Sequence, residues 1–185
     1  MRIRRSMART RRRGAPPRTI SRPALLVDGS DGAFRGLIHD LIAYGHRLDA
    51  CRDAFAAIVG ISGVQYEILM LVSRADGLSI GEVAERLHRS GAFITIEANK
   101  LAAAGILDKD SDPADGRRVL LRKTRKSRQL LERLAPFQVR VNDVLFERLD
   151  ARRFRQLRAL ARDLVASGDR AVAMLGFLMH EAEAA

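Results

Sequence analysis

The fold is decided by residues 78–118, which read LSIGEVAERLHRSGAFITIEANKLAAAGILDKDSDPADGRR. Ser79 is followed three residues later by Glu82, and this spacing is a capping box that predicts the start of a short helix. Ser90-Gly91 breaks that helix, and a second amphipathic helix is expected over about residues 92–104. Two short helices separated by a tight turn predict a helix-turn-helix unit.

A charged hairpin is predicted directly after the second helix. Short apolar runs at Ile106-Leu107 and Val119–Leu121 flank Asp112-Pro-Ala-Asp-Gly116, and Asp-Pro and Asp-Gly both favour turns. A hairpin at this place makes the helix-turn-helix a winged one, in which the second helix has the width of the DNA major groove.

Long helices are predicted on both sides of this unit. Apolar residues recur at helical spacing in long helices from Phe34 to Ile58, over Lys126–Leu149 and over Ala151–Met179, and in a short helix over Val64–Val72. Pro136 should kink the first of the two C-terminal helices. The second carries an apolar stripe with little else in the chain to cover it: Leu157, Leu160, Leu164, Val172, Leu175 and Leu178.

The charge is concentrated at the N-terminus. The 185 residues include 33 basic and 22 acidic ones, a net charge of +11, but residues 1–22 hold nine arginines and no acid, which leaves +2 for the rest. Residues 1–30 are therefore expected to form a basic disordered tail, either an arm along a nucleic-acid backbone or a solvated tail. A second basic run has seven Lys or Arg residues and no acid over residues 117–128, which suggests a face that meets a polyanion.

Composition excludes several other classes of protein. The single cysteine, Cys51, cannot close an internal disulfide or build a thiolate zinc site. No apolar stretch approaches the ~20 residues of a membrane span, so we expect a cytoplasmic protein without a membrane partner. The sequence has no glycine-rich phosphate loop, nucleophile elbow or HExxH motif, and we expect neither an enzyme nor a cofactor or metal site.

The segment around the predicted wing resembles the MarR family of winged-helix transcriptional regulators. Leu78–Leu87 is similar to the supporting helix of that family, Ser90–Leu101 to its recognition helix, and Asp112-Pro-Ala-Asp-Gly-Arg-Arg118 to its wing motif Asp-Pro-x-Asp-x-Arg. Thr124 stands where a threonine usually follows the wing. The recognition helix departs from the common Ser-Arg-Ser-Thr start, since it begins Ser90-Gly-Ala-Phe93.

The resemblance implies a mainly α fold with a small β-wing, in which a winged helix-turn-helix domain is joined to a helical dimerisation domain. We assign residues 61–125 to the DNA-binding region, and residues 31–60 and 126–185 to the dimerisation region. The implied function is a homodimeric regulator, expected to be a repressor, which binds a pseudo-palindromic operator in double-stranded DNA. The resemblance also places Arg117 in the minor groove, where Asp115 holds it.

The candidate DNA contacts follow from side-chain chemistry. Hydroxyl and amide groups suit base edges or phosphates, an ammonium suits a phosphate, an apolar side chain (Phe93 or Ile94) suits a thymine methyl group, and paired arginines suit a narrow minor groove. The candidate set is Ser90, Phe93, Thr95, Asn99, Lys100, Asp115, Arg117 and Arg118. Phe93, Ile94 and Ile96 are also at the spacing of core residues.

Members of the family commonly release DNA when a small effector binds between the dimer helices and the DNA-binding lobe. Candidates for contacting such an effector, for example an aromatic acid or its thioester, are His39, Tyr44, His46, Arg47, Phe55 and Tyr66. The same side chains would also suit packing in a dimer or exposure to solvent.

Two other functions compete with this one. An oxidant-responsive regulator would use Cys51, but its place on an apolar helix face favours a buried structural cysteine. A sequence-tolerant architectural DNA-binding protein would also account for the basic tail and wing.

Overall fold

The computed structural model describes residues 16–75 and 77–184. The helices are α1 (Gly32–Ile58), α2 (Gly63–Ser73), α3 (Ile80–Arg86), α4 (Gly91–Ala103), α5 (Arg125–Leu145) and α6 (Ala151–Ala184). The strands are β1 (Leu78–Ser79), β2 (Leu107–Ser111) and β3 (Val119–Lys123), and a single 3-10 turn covers Pro23–Leu25. The predicted fold class, mainly α with a small β-wing, is confirmed.

Contacts divide the chain into two compact units, and the boundary along the sequence lies between Glu67 and Ile68. In the first unit, Phe55, Ala56 and Tyr66 are buried, and the rings of Phe55 and Tyr66 pack in a tilted arrangement with centroids 6.2 Å apart. The apolar face of α1 is only partly covered by the rest of the chain, since Leu37, Leu41 and Ile42 are each about half exposed.

The segment before α1 is ordered by one carboxylate. Asp31 Oδ2 accepts hydrogen bonds from the Thr19 backbone N–H at 2.7 Å and from the Thr19 hydroxyl at 2.9 Å. Arg35 pairs with the same carboxylate and also donates to the Pro17 carbonyl at 2.7 Å. The disordered tail expected for residues 1–30 therefore does not describe residues 16–30, whereas residues 1–15 lie outside the described residues.

The second unit is built around one apolar core. Its most deeply buried side chains come from α2, α3, α4, the wing strands and α5: Ile68, Leu69, Val72, Val83, Ile94, Leu101, Leu107, Leu121 and Leu134. The sheet order is β1-β3-β2 and all pairs are antiparallel, with Leu78 opposite Leu121 and Leu107 opposite Lys123. The sequence predicted the β2–β3 hairpin but not β1, whose two residues turn the hairpin into a three-stranded sheet.

Capping residues stand at the helix ends, and the predicted capping box is one of them. Ser79 Oγ accepts from the Glu82 N–H at 3.2 Å while Glu82 Oε2 accepts from the Ser79 N–H at 2.8 Å, which confirms the capping box. The Ser90 and Thr124 side chains cap α4 and α5. Gly105 ends α4 with a φ of +65°, a conformation that glycine adopts without strain.

The C-terminal helices differ from the predicted ones in length. α5 runs through Pro136 but ends at Leu145, four residues before the expected end, and α6 continues past Met179 to Ala184. The apolar stripe of α6 is solvent-exposed throughout, with exposed fractions from 43% at Leu157 to 71% at Val172. Within the described ranges no single helix is long and apolar enough to cross a membrane; only α1 and α2 taken together reach that composition, and a sharp bend separates them.

Candidate nucleic-acid interface

The second helix of the helix-turn-helix, α4, has one buried and one exposed face. Ile94, Ala98 and Leu101 are between 0% and 1% exposed and hold α4 against the core. Phe93 and Ile96 lie on the outer face, with 38% and 54% of their surface exposed. Of the two residues considered for a thymine methyl group, Ile94 is therefore a core residue, and Ile96, which its spacing had grouped with the core, is exposed.

Two candidate hydroxyl contacts are already used within α4. Ser90 Oγ accepts a hydrogen bond from the Phe93 N–H at 3.2 Å, which is its capping role. The Thr95 hydroxyl donates to the Gly91 carbonyl at 2.8 Å, and its side chain is half-buried. Both oxygens keep acceptor capacity, but each is first of all a part of the helix start.

The polar residues at the end of α4 connect it to the wing. Asn99 Oδ1 accepts a hydrogen bond from Lys109 Nζ of β2 at 2.7 Å, and both residues are exposed. Lys100 Nζ lies 2.6 Å from a carboxylate oxygen of Glu97, which is only 8% exposed. Lys109 was not among the predicted contacts, because its neighbour Asn99 is ten positions away and no periodicity links the two.

The wing turn is shaped by its two aspartates. Asp112 Oδ1 accepts from the Ala114 N–H at 2.9 Å, and Asp115 Oδ1 accepts from the Arg117 N–H at 3.1 Å. The Asp115 carboxylate thus fixes the backbone of Arg117. The Arg117 guanidinium is exposed and has no hydrogen bond or ion pair to any residue in 16–75 or 77–184.

Arg118 differs from Arg117 because protein acceptors surround its guanidinium. Arg118 Nη2 donates to Ser79 Oγ at 3.2 Å and to Glu82 Oε2 at 3.4 Å, and Nη1 lies 3.8 Å from Asp112 Oδ2. The pKa of Glu82 is lowered, mainly by the hydrogen bonds that it accepts from the Ser79 side chain and backbone, with the charge of Arg118 contributing less. Arg118 therefore ties the wing to the start of α3.

Several cations of the run over residues 117–128 are also engaged within the protein. Arg122 pairs with Asp110 at 3.1 Å, Lys123 Nζ donates to the Ser73 carbonyl at 3.3 Å, and Lys126 Nζ donates to the Ala104 carbonyl at 2.7 Å. In the part of the chain that the structure describes, Arg125 and Arg128 are exposed and have no side-chain hydrogen bond or ion pair. The cations available to a polyanion are thus fewer than the sequence count suggests.

The six candidate effector residues do not converge in the same way. His39, His46 and Arg47 are exposed on α1, and Arg47 donates to the Ala43 carbonyl of its own helix. Phe55 and Tyr66 form the buried ring pair already described. Tyr44 is half-buried, and burial, followed by the charge of Cys51, raises the pKa of its phenol.

Cys51 is partly exposed, which corrects the expectation of a buried structural cysteine. No group of three or more His, Cys, Asp or Glu side chains within the described ranges is arranged to hold a metal ion.

Comparison with known proteins points to one family. The sequence model of the MarR family matches residues 59–118, which include α3, α4 and the wing. Over this segment the chain is similar to the MarR family.

A curated relative is similar to part of the chain. An uncharacterized HTH-type transcriptional regulator of Bacillus subtilis (strain 168), YdgJ, is 30% identical over 78 residues, which cover 42% of this chain. The match spans 48% of that relative, about half of its length.

Solved structures have the same fold. Sco3205 of Streptomyces coelicolor, a MarR family transcriptional regulator in complex with DNA, aligns over 72% of this chain and 89% of its own with a TM-score of 0.63 and 21% identity. The PcaV transcriptional regulator of Streptomyces coelicolor, in complex with its natural ligand, aligns over 67% of this chain and 90% of its own with a TM-score of 0.53 and 28% identity.

Proposed function

We propose that this chain is a MarR family regulator, a sequence-specific DNA-binding repressor that acts in the cytoplasm as a homodimer on a pseudo-palindromic operator. The observation that carries the proposal is that the exposed face of α4 and the wing form one surface in the second unit. The outer face of α4 is exposed, the Asn99–Lys109 hydrogen bond links it to the wing, and the wing presents the uncommitted guanidinium of Arg117. A helix of this width enters the major groove, and an arginine at a wing tip suits the adjacent minor groove.

In this proposal the two wing arginines have different roles. Arg117 contacts DNA directly, since no described protein acceptor holds its guanidinium. Arg118 positions the wing through Ser79, Glu82 and Asp112. The remaining candidates (Ser90, Phe93, Thr95, Asn99, Lys100 and Asp115) keep the contacts or positioning roles predicted from their chemistry.

The homodimer is supported by the exposed apolar surface of the helices. The stripe of α6 is about half exposed or more at Leu160, Leu164, Leu175 and Leu178, and α1 exposes leucines and isoleucines along its length. Soluble monomers rarely leave a contiguous apolar stripe such as that of α6 uncovered. A two-fold dimer would place its recognition helices about one DNA turn apart, roughly 34 Å, and would therefore bind two half-sites in inverted orientation.

Control by a small aromatic or amphipathic effector completes the proposal. The PcaV transcriptional regulator, solved in complex with its natural ligand, is a protein of this fold that holds a small molecule. We assign the effector contacts to the residues predicted from the sequence, of which Arg47 is an exposed cation for a carboxylate and Tyr44 a half-buried ring. No such role is assigned to Cys51.

The test is selection of bound duplexes from random DNA, followed by measurement of the dissociation constant at one salt concentration. A regulator should hold its selected operator at least ~10³-fold more tightly than random DNA, and the operator should contain an inverted repeat. Binding that is equally tight to every duplex would instead support the architectural alternative.

Three further measurements address the finer parts of the proposal. Light scattering of the purified chain should give the mass of two copies, and a monomer would contradict the dimer. Aromatic acids and their thioesters, titrated into the operator complex, should include at least one compound that releases the DNA. A reporter placed behind the operator should be silenced by the protein, and activation would contradict repression.

A further inference from the structure

The outer face of α4 contains an apolar pair that the core does not need. Phe93 and Ile96 are three residues apart, so they lie side by side on one face of the helix. The packing of α4 is already provided by Ile94, Ala98 and Leu101 on the opposite face. An isoleucine that is 54% exposed in the middle of a 13-residue helix has surface left for another molecule.

The surroundings of this pair are polar and cationic. Asn99 and Lys100 continue the exposed face by one turn, Lys109 reaches Asn99 from the wing, and Arg89 is exposed just before the helix. The acidic residue of the helix, Glu97, is turned inward and is 8% exposed. A small apolar patch bordered by cations complements a polyanion that offers apolar groups between its charges.

Double-stranded DNA offers such apolar groups at defined places. In the major groove the C5-methyl group of thymine is the apolar feature that distinguishes one base pair from another. Building on the proposed function, we infer that Phe93 and Ile96 determine operator specificity by reading thymine methyl groups in the major groove. Ile96 is the centre of this contact because it is the more exposed of the two and lies midway along α4.

The same face provides the polar half of the reading surface. Lys109 Nζ donates to Asn99 Oδ1, so the amide N–H groups of Asn99 are the part of that side chain that is left to act as donors. Donors beside an apolar patch match a thymine followed by a base edge rich in acceptors, such as O6 and N7 of guanine. The operator half-site should therefore contain thymines at fixed positions and should not tolerate their exchange for cytosine.

The expected effect follows from the burial of one methyl group. Removal of an apolar carbon from a buried contact corresponds to a loss of about fourfold in affinity, the ratio equivalent to ~0.8 kcal/mol. Deoxyuridine differs from thymidine only by this methyl group and keeps the same base pairing, so its substitution isolates the contact.

The experiment uses the full chain and the operator found by selection. Each thymine of one half-site is replaced in turn by deoxyuridine, and the dissociation constant is measured for the wild type, for Ile96→Ala and for Ile96→Thr. Val27→Ala is the control, since Val27 is also an exposed β-branched residue (57%) but lies before α1, outside the residues assigned to DNA binding and to dimerisation. Circular dichroism establishes that each variant is folded, and comparing thymine with deoxyuridine for the same variant cancels any effect on dimerisation.

The inference predicts a loss of about fourfold at one or more thymines for the wild type and for Val27→Ala, and a smaller loss at the same thymines for both Ile96 variants. Deoxyuridine substitutions that cost nothing, or that cost as much in Ile96→Ala as in the wild type, would overturn it while leaving the regulator intact. If selection returns no preferred sequence, the proposed function itself fails, and the two failures are thus distinguishable. Capture of another protein by this patch, with no deoxyuridine effect, would equally overturn it.

Discussion

The two adjacent wing arginines allow a matched test of how the wing binds DNA. In the structure the Arg117 guanidinium has no described protein partner, whereas that of Arg118 has acceptors at 3.2 Å, 3.4 Å and 3.8 Å. Arg117→Ala should therefore remove a DNA contact, and Arg118→Ala should remove a contact within the protein. Because the two substitutions delete the same side chain one position apart, each is the control for the other.

The two substitutions should affect different quantities: Arg117→Ala the free energy of DNA binding, and Arg118→Ala the free energy of unfolding. Loss of Arg117 should cost about 1–3 kcal/mol of binding free energy. If its guanidinium neutralises one phosphate, the slope of log K against log salt should fall by about 0.9, so that the affinity deficit of the variant changes about 3.5-fold between ~50 and ~200 mM salt. Arg118 is about half exposed, and its loss should cost about 0.2–1 kcal/mol of unfolding free energy and leave the salt slope unchanged.

Fluorescence anisotropy with a labelled operator, repeated over that salt range, measures both the affinity and the slope. Urea titration of each variant measures the free energy of unfolding. The reasoning is refuted if Arg118→Ala lowers the salt slope as much as Arg117→Ala, or if Arg117→Ala binds as tightly as the wild type at every salt concentration.

Three further predictions concern other parts of the chain. Thr124→Ala should lower the free energy of unfolding by about 1–2 kcal/mol in a urea titration, because its hydroxyl caps α5 and donates to two carbonyls; Thr124→Ser should stay near the wild type, and equal losses would contradict this role. Asn99→Ala and Lys109→Ala should each weaken operator binding, and the double variant should lose less than the sum; strictly additive losses would show that their hydrogen bond has no part in binding. The pKa of Asp31 is lowered from 3.8 to about 2, mainly by the hydrogen bond from the Thr19 N–H and also by further hydrogen bonds and the charge of Arg35. The charged carboxylate therefore stabilises the segment above pH 3.8, and this stabilisation is lost as the pH falls toward 2. Hydrogen-exchange protection of the Thr19 amide should follow that fall and be absent in Asp31→Asn at neutral pH; protection that persists in the variant would refute the role of the carboxylate.

The helices and the hairpin could be predicted because their signals are local. The capping box at Ser79, the break at Ser90-Gly91 and the C-cap at Gly105 each lie within a few residues of the helix end that they determine. β1 escaped prediction because a two-residue strand has no periodicity of its own, and only its pairing with Leu121 defines it.

The details of the site depend on contacts between distant residues. Ile94 and Ile96 are equally apolar, and the sequence cannot say how the helix is rotated about its axis; the core places one at 0% exposure and the other at 54%. Arg117 and Arg118 are the same type of residue. Their roles differ because Arg118 donates to Ser79, which lies 39 positions earlier in the sequence. The contact of Thr19 with Asp31 likewise joins side chains 12 positions apart, so composition alone suggested disorder for that segment.

The hydroxyl of Thr124 has a mechanical consequence. It donates hydrogen bonds to the carbonyls of Gly105 and Ile106, just after the end of α4, from the residue that caps α5. Lys126, in the first turn of α5, donates to the neighbouring carbonyl of Ala104. These hydrogen bonds join the start of α5 to the end of α4. A change in the direction of α5 is therefore expected to change the orientation of α4 as well.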